Sequence, residues 1–265
     1  EKSALVICHL TDHLERLRSS CKLIGLECPF GVEELQSIIG KFASELQINF
    51  DAYFRIVLFV DSNEDCSNIS WFSNEPVELF IAASAKKRKC PEALNGAKSC
   101  TSSWRRIDDL SMPPRVKAGA NYFAGRYSHF EAKAGGYDLP ILLNKEGKVA
   151  EGAGSCLFMI KKNKLVTPTT TSSILESITR EILISLAPSL GLIVEERDLD
   201  RTELYIADEI FLCGTTAELI PITQLDARVI ADGEVGAYTR QLLTQYHSHA
   251  SSLSSSNFIA YKASE

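Results

Sequence analysis

Apolar positions recur along this chain in two rhythms, and the rhythms divide it. Near the start, Leu14, Leu17, Cys21 and Ile24 follow Asp12 at helical spacing, and Val32, Leu35, Ile39, Phe42 and Leu46 do the same over 32–46. Residues three and four apart share one face of a helix, so both segments are expected to be amphipathic helices. Thr11 or Asp12 is expected to cap the first. Strands are expected at 3–8 (SALVIC), at Asp51–Asp61 and at Val77–Ser84. In the second of these, Tyr53, Arg55, Val57 and Phe59 fall on one face because strand side chains alternate. Pro76 opens the third, where its missing N–H costs no ladder bond.

Beyond KKRKCP (86–91) the apolar runs become shorter and more frequent. A strand is expected over 98–104, a proline-broken loop over 105–116, and a helix over 119–134 closed by Gly135-Gly136. LPILLN (139–144), KVAE (148–151), CLFMIKK (156–162) and KLVTP (164–168) read as a meander of strands. A helix from Ser177 to before Gly191, a strand over 192–197, a helical turn over 201–205, strands over 209–214 and 219–226, and a helix near 236–247 follow. SSLSSSN (251–257) reads as a mobile tail. The order predicts an α+β chain with a small α/β domain over 1–88 and a larger strand-rich domain over 89–265. No internal repeat is expected.

Composition narrows the function classes. The chain has 265 residues, 45% of them hydrophobic, with a net charge of −6. That supports real cores and offers no field for nucleic acid or an anionic membrane. KKRK (86–89) reads as a solvated turn or linker, and no apolar run approaches the roughly 18 residues of a membrane span. The eight cysteines form no CxxC pair and no zinc-type cluster with histidine. Cys8, Cys156 and Cys213 lie in apolar segments, so reduced, core-packed thiols in a cytosolic protein are expected.

Five features can carry chemistry: Arg16, Lys117 in KAGANY, Glu151 in EGAG, Ser177 to Arg180 in SITR, and Thr215-Thr216 in CGTTAE. Each alone has a plain reading as a surface charge, a cap or a turn. Together they make a set. A helix start with free N–H groups and the Thr179 hydroxyl is an anion site, and Gly-Thr-Thr at a strand end is another nest of donors. An arginine completes a phosphate cradle. A lysine amine deprotonated by burial and neighbouring positive charge can form a Schiff base, and a carboxylate can hold a ring nitrogen protonated. Those are the requirements of pyridoxal 5′-phosphate.

RVKAGANY, EGAGSCLF, ITRE, LYIADEIFLCGTTAELIPI, DHLERL and YFRIVLF occur in the order of one family, over about 4–238, with SSWRR (102–106) ahead of the lysine. The chain resembles the class IV (fold type IV) pyridoxal-phosphate aminotransferases, and within them the branched-chain amino acid group. The resemblance implies a small α/β domain beside a strand-rich pseudo-barrel. It implies transfer of an amino group from a branched-chain L-amino acid to 2-oxoglutarate. Lys117 is then the Schiff-base lysine and proton shuttle, Tyr122 the partner of the cofactor's phenolic oxygen, and Glu151 the partner of its pyridine nitrogen. Arg16, Ile178, Thr179 and Thr215 hold the phosphate. Tyr53, Arg55, Thr216 and Ala217 receive the substrate carboxylate. A cytoplasmic homodimer or larger homo-oligomer is implied, with no metal, nucleic acid or membrane partner.

The chain also departs from the pattern. The family's pocket-lining lead before the first strand has no match, which reads as an N-terminally incomplete domain. The segment 61–75 is unlike the family's loop, and KAGGNY is KAGANY here. Other reactions of the scaffold, D-amino acid transamination or aminodeoxychorismate lyase chemistry, and a non-catalytic or truncated homologue stand as alternatives.

Overall fold

The computed structural model describes residues 4–48, 50–60, 76–251 and 258–262. Along the chain run β1 (Ala4–Cys8), α1 (Leu10–Leu23), α2 (Val32–Glu45), β2 (Ala52–Val60), β3 (Val77–Ala85), β4 (Ala97–Arg105) and α3 (Phe123–Ala134). Then follow β5 (Leu139–Leu143), β6 (Val149–Gly152), β7 (Cys156–Lys161), β8 (Lys164–Thr167), α4 (Ile178–Leu186), β9 (Ile193–Glu196) and α5 (Arg201–Leu204). β10 (Glu209–Gly214), β11 (Glu218–Leu225), β12 (Arg228–Val229), α6 (Ala237–Ser251) and β13 (Phe258–Lys262) complete the order. The architecture is α+β. It forms two compact units, one of residues 1–88 and 252–265, the other of 89–251.

In the first unit, β2 and β3 form a two-stranded antiparallel sheet, and β1 pairs antiparallel with β13. Leu10, Leu14, Leu35 and Ile39 leave water completely or nearly so, against Phe54, Ile56, Leu79 and Ile81 on one face of the sheet. Each such side chain contributes roughly 1.5–3 kcal/mol. The helical stripe is shorter than its periodicity suggests. Ile24 and Leu46 end their helices as C-caps and are 56% and 50% exposed. The expected cap of α1 also differs. Its N-cap is His9 in the left-handed region, with Nδ1 2.7 Å from Asp12 Oδ2, while Thr11 accepts from Gln36 Nε2 at 2.9 Å.

The second unit is built on one sheet in the order β10-β11-β4-β5-β6-β7-β8-β9, with β12 beside β11. β7 also pairs with β10, which closes six strands into a ring. One edge of β7 is shared: Cys156 faces β6, and Met159 to Lys161 face β8. The expected meander β5-β6-β7-β8 is antiparallel, but β11–β4, β4–β5 and β8–β9 are parallel. The continuous apolar runs of β7 and β10 follow from burial on both faces. Leu157, Met159, Ile210 and Leu212 enter one core. Phe158, Ile160, Phe211 and Cys213 enter the other, with Leu183 of α4 and Leu242 and Leu243 of α6. Phe158 and Phe211 stack at 5.2 Å.

Two sequence expectations at the junctions are refined. Arg88 pairs with Asp51 at 3.0 Å, and Lys89 donates from Nζ to Leu219 O at 3.0 Å, so part of the KKRK run has fixed partners. Ser251 ends α6, and the rest of the serine-rich stretch, like 61–75, lies outside the described residues. The described cysteines carry no disulfide. No described helix is long and apolar enough to cross a membrane.

Candidate active site

The segment that carries Lys117 is irregular chain made rigid by one side chain. Asn121 is 4% exposed and donates from Nδ2 to Pro113 O at 3.0 Å and to Val116 O at 2.8 Å. Two prolines deny this loop regular hydrogen bonds, and Asn121 supplies substitutes. A 3₁₀ turn over Gly119–Tyr122 then leads into α3. The turn folds the chain back, so Lys117 Nζ reaches Tyr122 Oη at 2.8 Å. α3 stops at a Schellman motif, with Tyr137 N–H bonded to Ala132 O, Gly136 N–H to Lys133 O, and Gly136 at φ +78.

This segment presses on the EGAG turn between β6 and β7. A Cβ on Gly125 would stand 2.6 Å from Ala153 O, and one on Gly154 would stand 3.3 Å from the Tyr122 ring. Small residues here keep Lys117 and Tyr122 close to backbone, as the sequence context suggests. The expected burial of the amine is not found: Lys117 is exposed. Its setting is a phenol partner, not an apolar pocket.

Glu151, on β6, is 3% exposed. Its Oε1 lies 2.7 Å from Arg106 Nε. That N–H does not point at the oxygen, so the contact is an ion pair and leaves Nε–H without a hydrogen bond. Oε2 accepts from Leu175 N–H at 3.3 Å and from the Cys156 thiol at 3.6 Å. Burial pushes the Glu151 carboxyl up, while Arg106, the Leu175 amide and the Cys156 thiol pull it back. The Cys156 thiol is itself held well above the usual range by burial and by the Glu151 charge.

Leu175 leads into α4. Ser177 is its N-cap, with Oγ accepting from Arg180 N–H at 3.4 Å. Ile178 and Thr179 are the first helical residues and are buried. Cys156 touches Leu175 O at 3.6 Å and faces Cys213 across the ladder, one residue before the Gly214-Thr215-Thr216-Ala217 turn. A Cβ on Gly214 would lie 3.8 Å from Gly154 O. The start of α4, the end of β10 and the EGAG turn therefore flank one place. It offers helix-start N–H groups, hydroxyls, an amine and a buried acid.

Of the expected site residues, the second unit brings together Lys117, Tyr122, Glu151, Ile178, Thr179, Thr215, Thr216 and Ala217. Arg16, Tyr53 and Arg55 belong to the first unit. Arg16 lies on α1 with Nη2 3.3 Å from His13 Nδ1. Tyr53 and Arg55 share the face of β2 opposite Phe54 and Ile56. Two arginines gained their roles only from the structure. Arg106 pairs with Glu151. Arg180, 3% exposed, bonds Pro168 O at 2.9 Å and Glu196 Oε2 at 2.6 Å and so holds the start of α4 to β8 and β9.

Known proteins match most of this chain. The family model for amino-transferase class IV matches residues 4–225. The chain belongs to the class IV aminotransferases.

Members of that family are similar over most of their length. A probable branched-chain-amino-acid aminotransferase of Aquifex aeolicus is 37% identical over 248 residues, covering 93% of this chain and 78% of that protein. A crystal structure of the branched-chain amino acid aminotransferase from Thermobaculum terrenum in its PLP-form is 41% identical, with a TM-score of 0.87 over 93% of this chain and 80% of that one. The branched-chain aminotransferase of the archaeon Thermoproteus uzoniensis, solved with norvaline, is 35% identical, with a TM-score of 0.84 over 92% of this chain and 80% of that one. As a class IV aminotransferase, the chain places Lys117 in a tyrosine-backed turn and a fully buried acid on the neighbouring strand.

Proposed function

We propose that this class IV aminotransferase uses pyridoxal 5′-phosphate to move the amino group of a branched-chain L-amino acid to 2-oxoglutarate. The observation that carries the reading is the approach of Lys117 Nζ to Tyr122 Oη, 2.8 Å, beside a turn that also ends at the buried Glu151–Arg106 pair. Two features fit the cofactor. Gly154 leaves room against the Tyr122 ring that a side chain would fill, and the donors at the start of α4 suit an anion. When bound, the cofactor supplies an electron sink joined to the substrate Cα.

The chain's own residues do the rest. Lys117 Nζ would carry the proton between the substrate Cα and the cofactor, with Tyr122 Oη steadying the amine. Glu151 pairs with the ring nitrogen's proton, and a cation there offsets the cost of its burial. Ile178 and Thr179 at the helix start, with the Thr215 hydroxyl and Arg16, hold the phosphate. Tyr53 and Arg55, with the backbone at Thr216 and Ala217, orient the substrate carboxylate. Residues 1–88 act as the small domain and 89–251 as the cofactor-binding domain. The protein works in the cytoplasm as a homodimer or larger homo-oligomer.

Two measurements test this. Borohydride reduction of the yellow holoenzyme, followed by peptide mapping, is expected to place the pyridoxyl label on Lys117. In a panel of L-leucine, D-alanine and aminodeoxychorismate, L-leucine with 2-oxoglutarate is expected to turn over fastest. A label elsewhere, or preference for either other substrate, overturns the assignment.

A further inference from the structure

Glu151 is a costly residue to bury, and the structure shows what offsets the cost. Arg106 follows β4 directly, and its backbone N–H bonds to Leu143 O at 2.9 Å, which anchors it to the end of β5. Its side chain is 10% exposed. The guanidinium meets two things at once: Nε stands 2.7 Å from Glu151 Oε1, and Nη1 donates to Asn121 O at 3.2 Å. Asn121 in turn holds the loop that presents Lys117, and Tyr122 is its neighbour. Lysine, a point charge on a flexible stem, lacks the rigid planar fork that sets one edge against Glu151 and another against Asn121 O.

We propose that Arg106 is a positioning residue that holds Glu151 as an oriented carboxylate and ties it to the segment carrying Lys117 and Tyr122. The carboxylate's two oxygens are divided. Oε1 belongs to Arg106, and Oε2 to the Leu175 amide and the Cys156 thiol. A buried carboxyl deprived of its cation takes up a proton, and a neutral carboxyl cannot pair with a protonated ring nitrogen. The Nη1 bond adds a mechanical tie, so that acid and amine keep their spacing when either is loaded.

The inference rests on the reading that Glu151 serves the cofactor ring, and a double-mutant cycle separates the two. Arg106→Gln and Glu151→Gln are made singly and together, and each apoprotein is titrated with pyridoxal 5′-phosphate and, separately, unfolded in urea. Arg106→Gln is expected to weaken cofactor binding by about tenfold or more and to shift the holoenzyme's visible absorption maximum, effects of the size of a lost charge-assisted bond. In the Glu151→Gln background the same change is expected to weaken binding less than about threefold. Equal losses in both backgrounds overturn the proposal, because a purely structural arginine acts regardless of residue 151. If Glu151→Gln leaves cofactor affinity unchanged, the ring-nitrogen reading fails. The urea midpoints then decide the tie alone: coupled shifts keep it and additive shifts remove it. Arg106→Lys runs the same cycle should Arg106→Gln fail to fold, and is expected to recover part of the affinity.

Discussion

In the second unit Glu151 sits 3% exposed among an arginine, an amide and a thiol, whereas in the first unit Arg55 stands exposed on a two-stranded sheet. β6 and β7 are buried on both faces, so each side chain's position is set from two sides. β2 is packed on one face only, and Tyr53 and Arg55 occupy the other. The contrast suits the two proposed roles. A proton relay loses rate with displacements of about 1 Å. Reception of a substrate carboxylate tolerates a long side chain that adapts, because the attraction between charges falls off slowly with distance.

The contrast can be broken by experiment, beginning with the largest effect. Lys117→Ala is expected to lower single-turnover rates by at least about 10²- to 10⁴-fold, the range of a general base, with little change in unfolding temperature because the side chain is exposed. Next come the cores. Leu183→Ala and Leu35→Ala, each at a side chain with no exposure, are both expected to cost about 2–5 kcal/mol in urea unfolding. Leu183→Ala should also loosen the cofactor, and Leu35→Ala should raise KM instead. The comparison collapses if both affect the cofactor alike.

Arg55→Ala is expected to raise KM for the amino acid by about 10- to 100-fold, the cost of one charge-assisted bond, while the cofactor's absorption stays unchanged. Loss of that absorption would place Arg55 in the cofactor machinery and erase the distinction.

A smaller effect tests whether rigidity of the second unit is electrostatic. Burial raises the Asp226 carboxyl, but the Thr101 amide, the Tyr205 and Thr101 hydroxyls and Arg201 outweigh it and hold the group below its usual range. A depressed carboxyl stabilises the fold above its unfolded pKa, and that gain is lost as pH falls through the folded one. Asp226→Asn is therefore expected to cost about 1–3 kcal/mol near neutral pH. The gap to the parent protein should close in acid, below about pH 4, when denaturant midpoints are followed against pH. Asn tolerates the positive φ of this residue, so backbone strain does not confuse the result. The smallest change is Arg115→Ala. Its partner Glu176 is 3.5 Å away and both side chains are 43% exposed, so a loss under about 0.5 kcal/mol is expected.

Much of this was legible along the chain, and the reasons differ by element. β10 runs over 209–214 as its apolar run predicts, because a strand buried on both faces has no polar interior residue to blur its ends. α3 ends where Gly135-Gly136 says it should. The parallel neighbours of β4 were not legible, since a single strand's alternation carries no direction. β13 was missed because its partner β1 is at the other end of the chain. In the site, KAGANY and EGAG announced themselves through small residues around one charge. Arg106 did not. It is 45 positions from Glu151, and only the closing of β5 against β6 brings the two together. His9 rather than Thr11 stands at the N-cap of α1: the helix starts at Leu10, and the Thr11 hydroxyl inside it accepts from Gln36, a tertiary contact that no local spacing reports.

Asn121 has one more consequence, on the timescale of exchange with solvent. Its amide N–H bonds to Ala118 O, its carbonyl accepts from Arg106, and its side chain holds Pro113 O and Val116 O. A proline-broken loop ordinarily opens far more often than a helix. Here one side chain couples the opening of the loop to the unseating of a buried amide. In deuterated water the Asn121 and Ala118 amides should retain their protons on the schedule of α3 rather than that of a loop, and both should lose them together if the side chain is cut back to alanine.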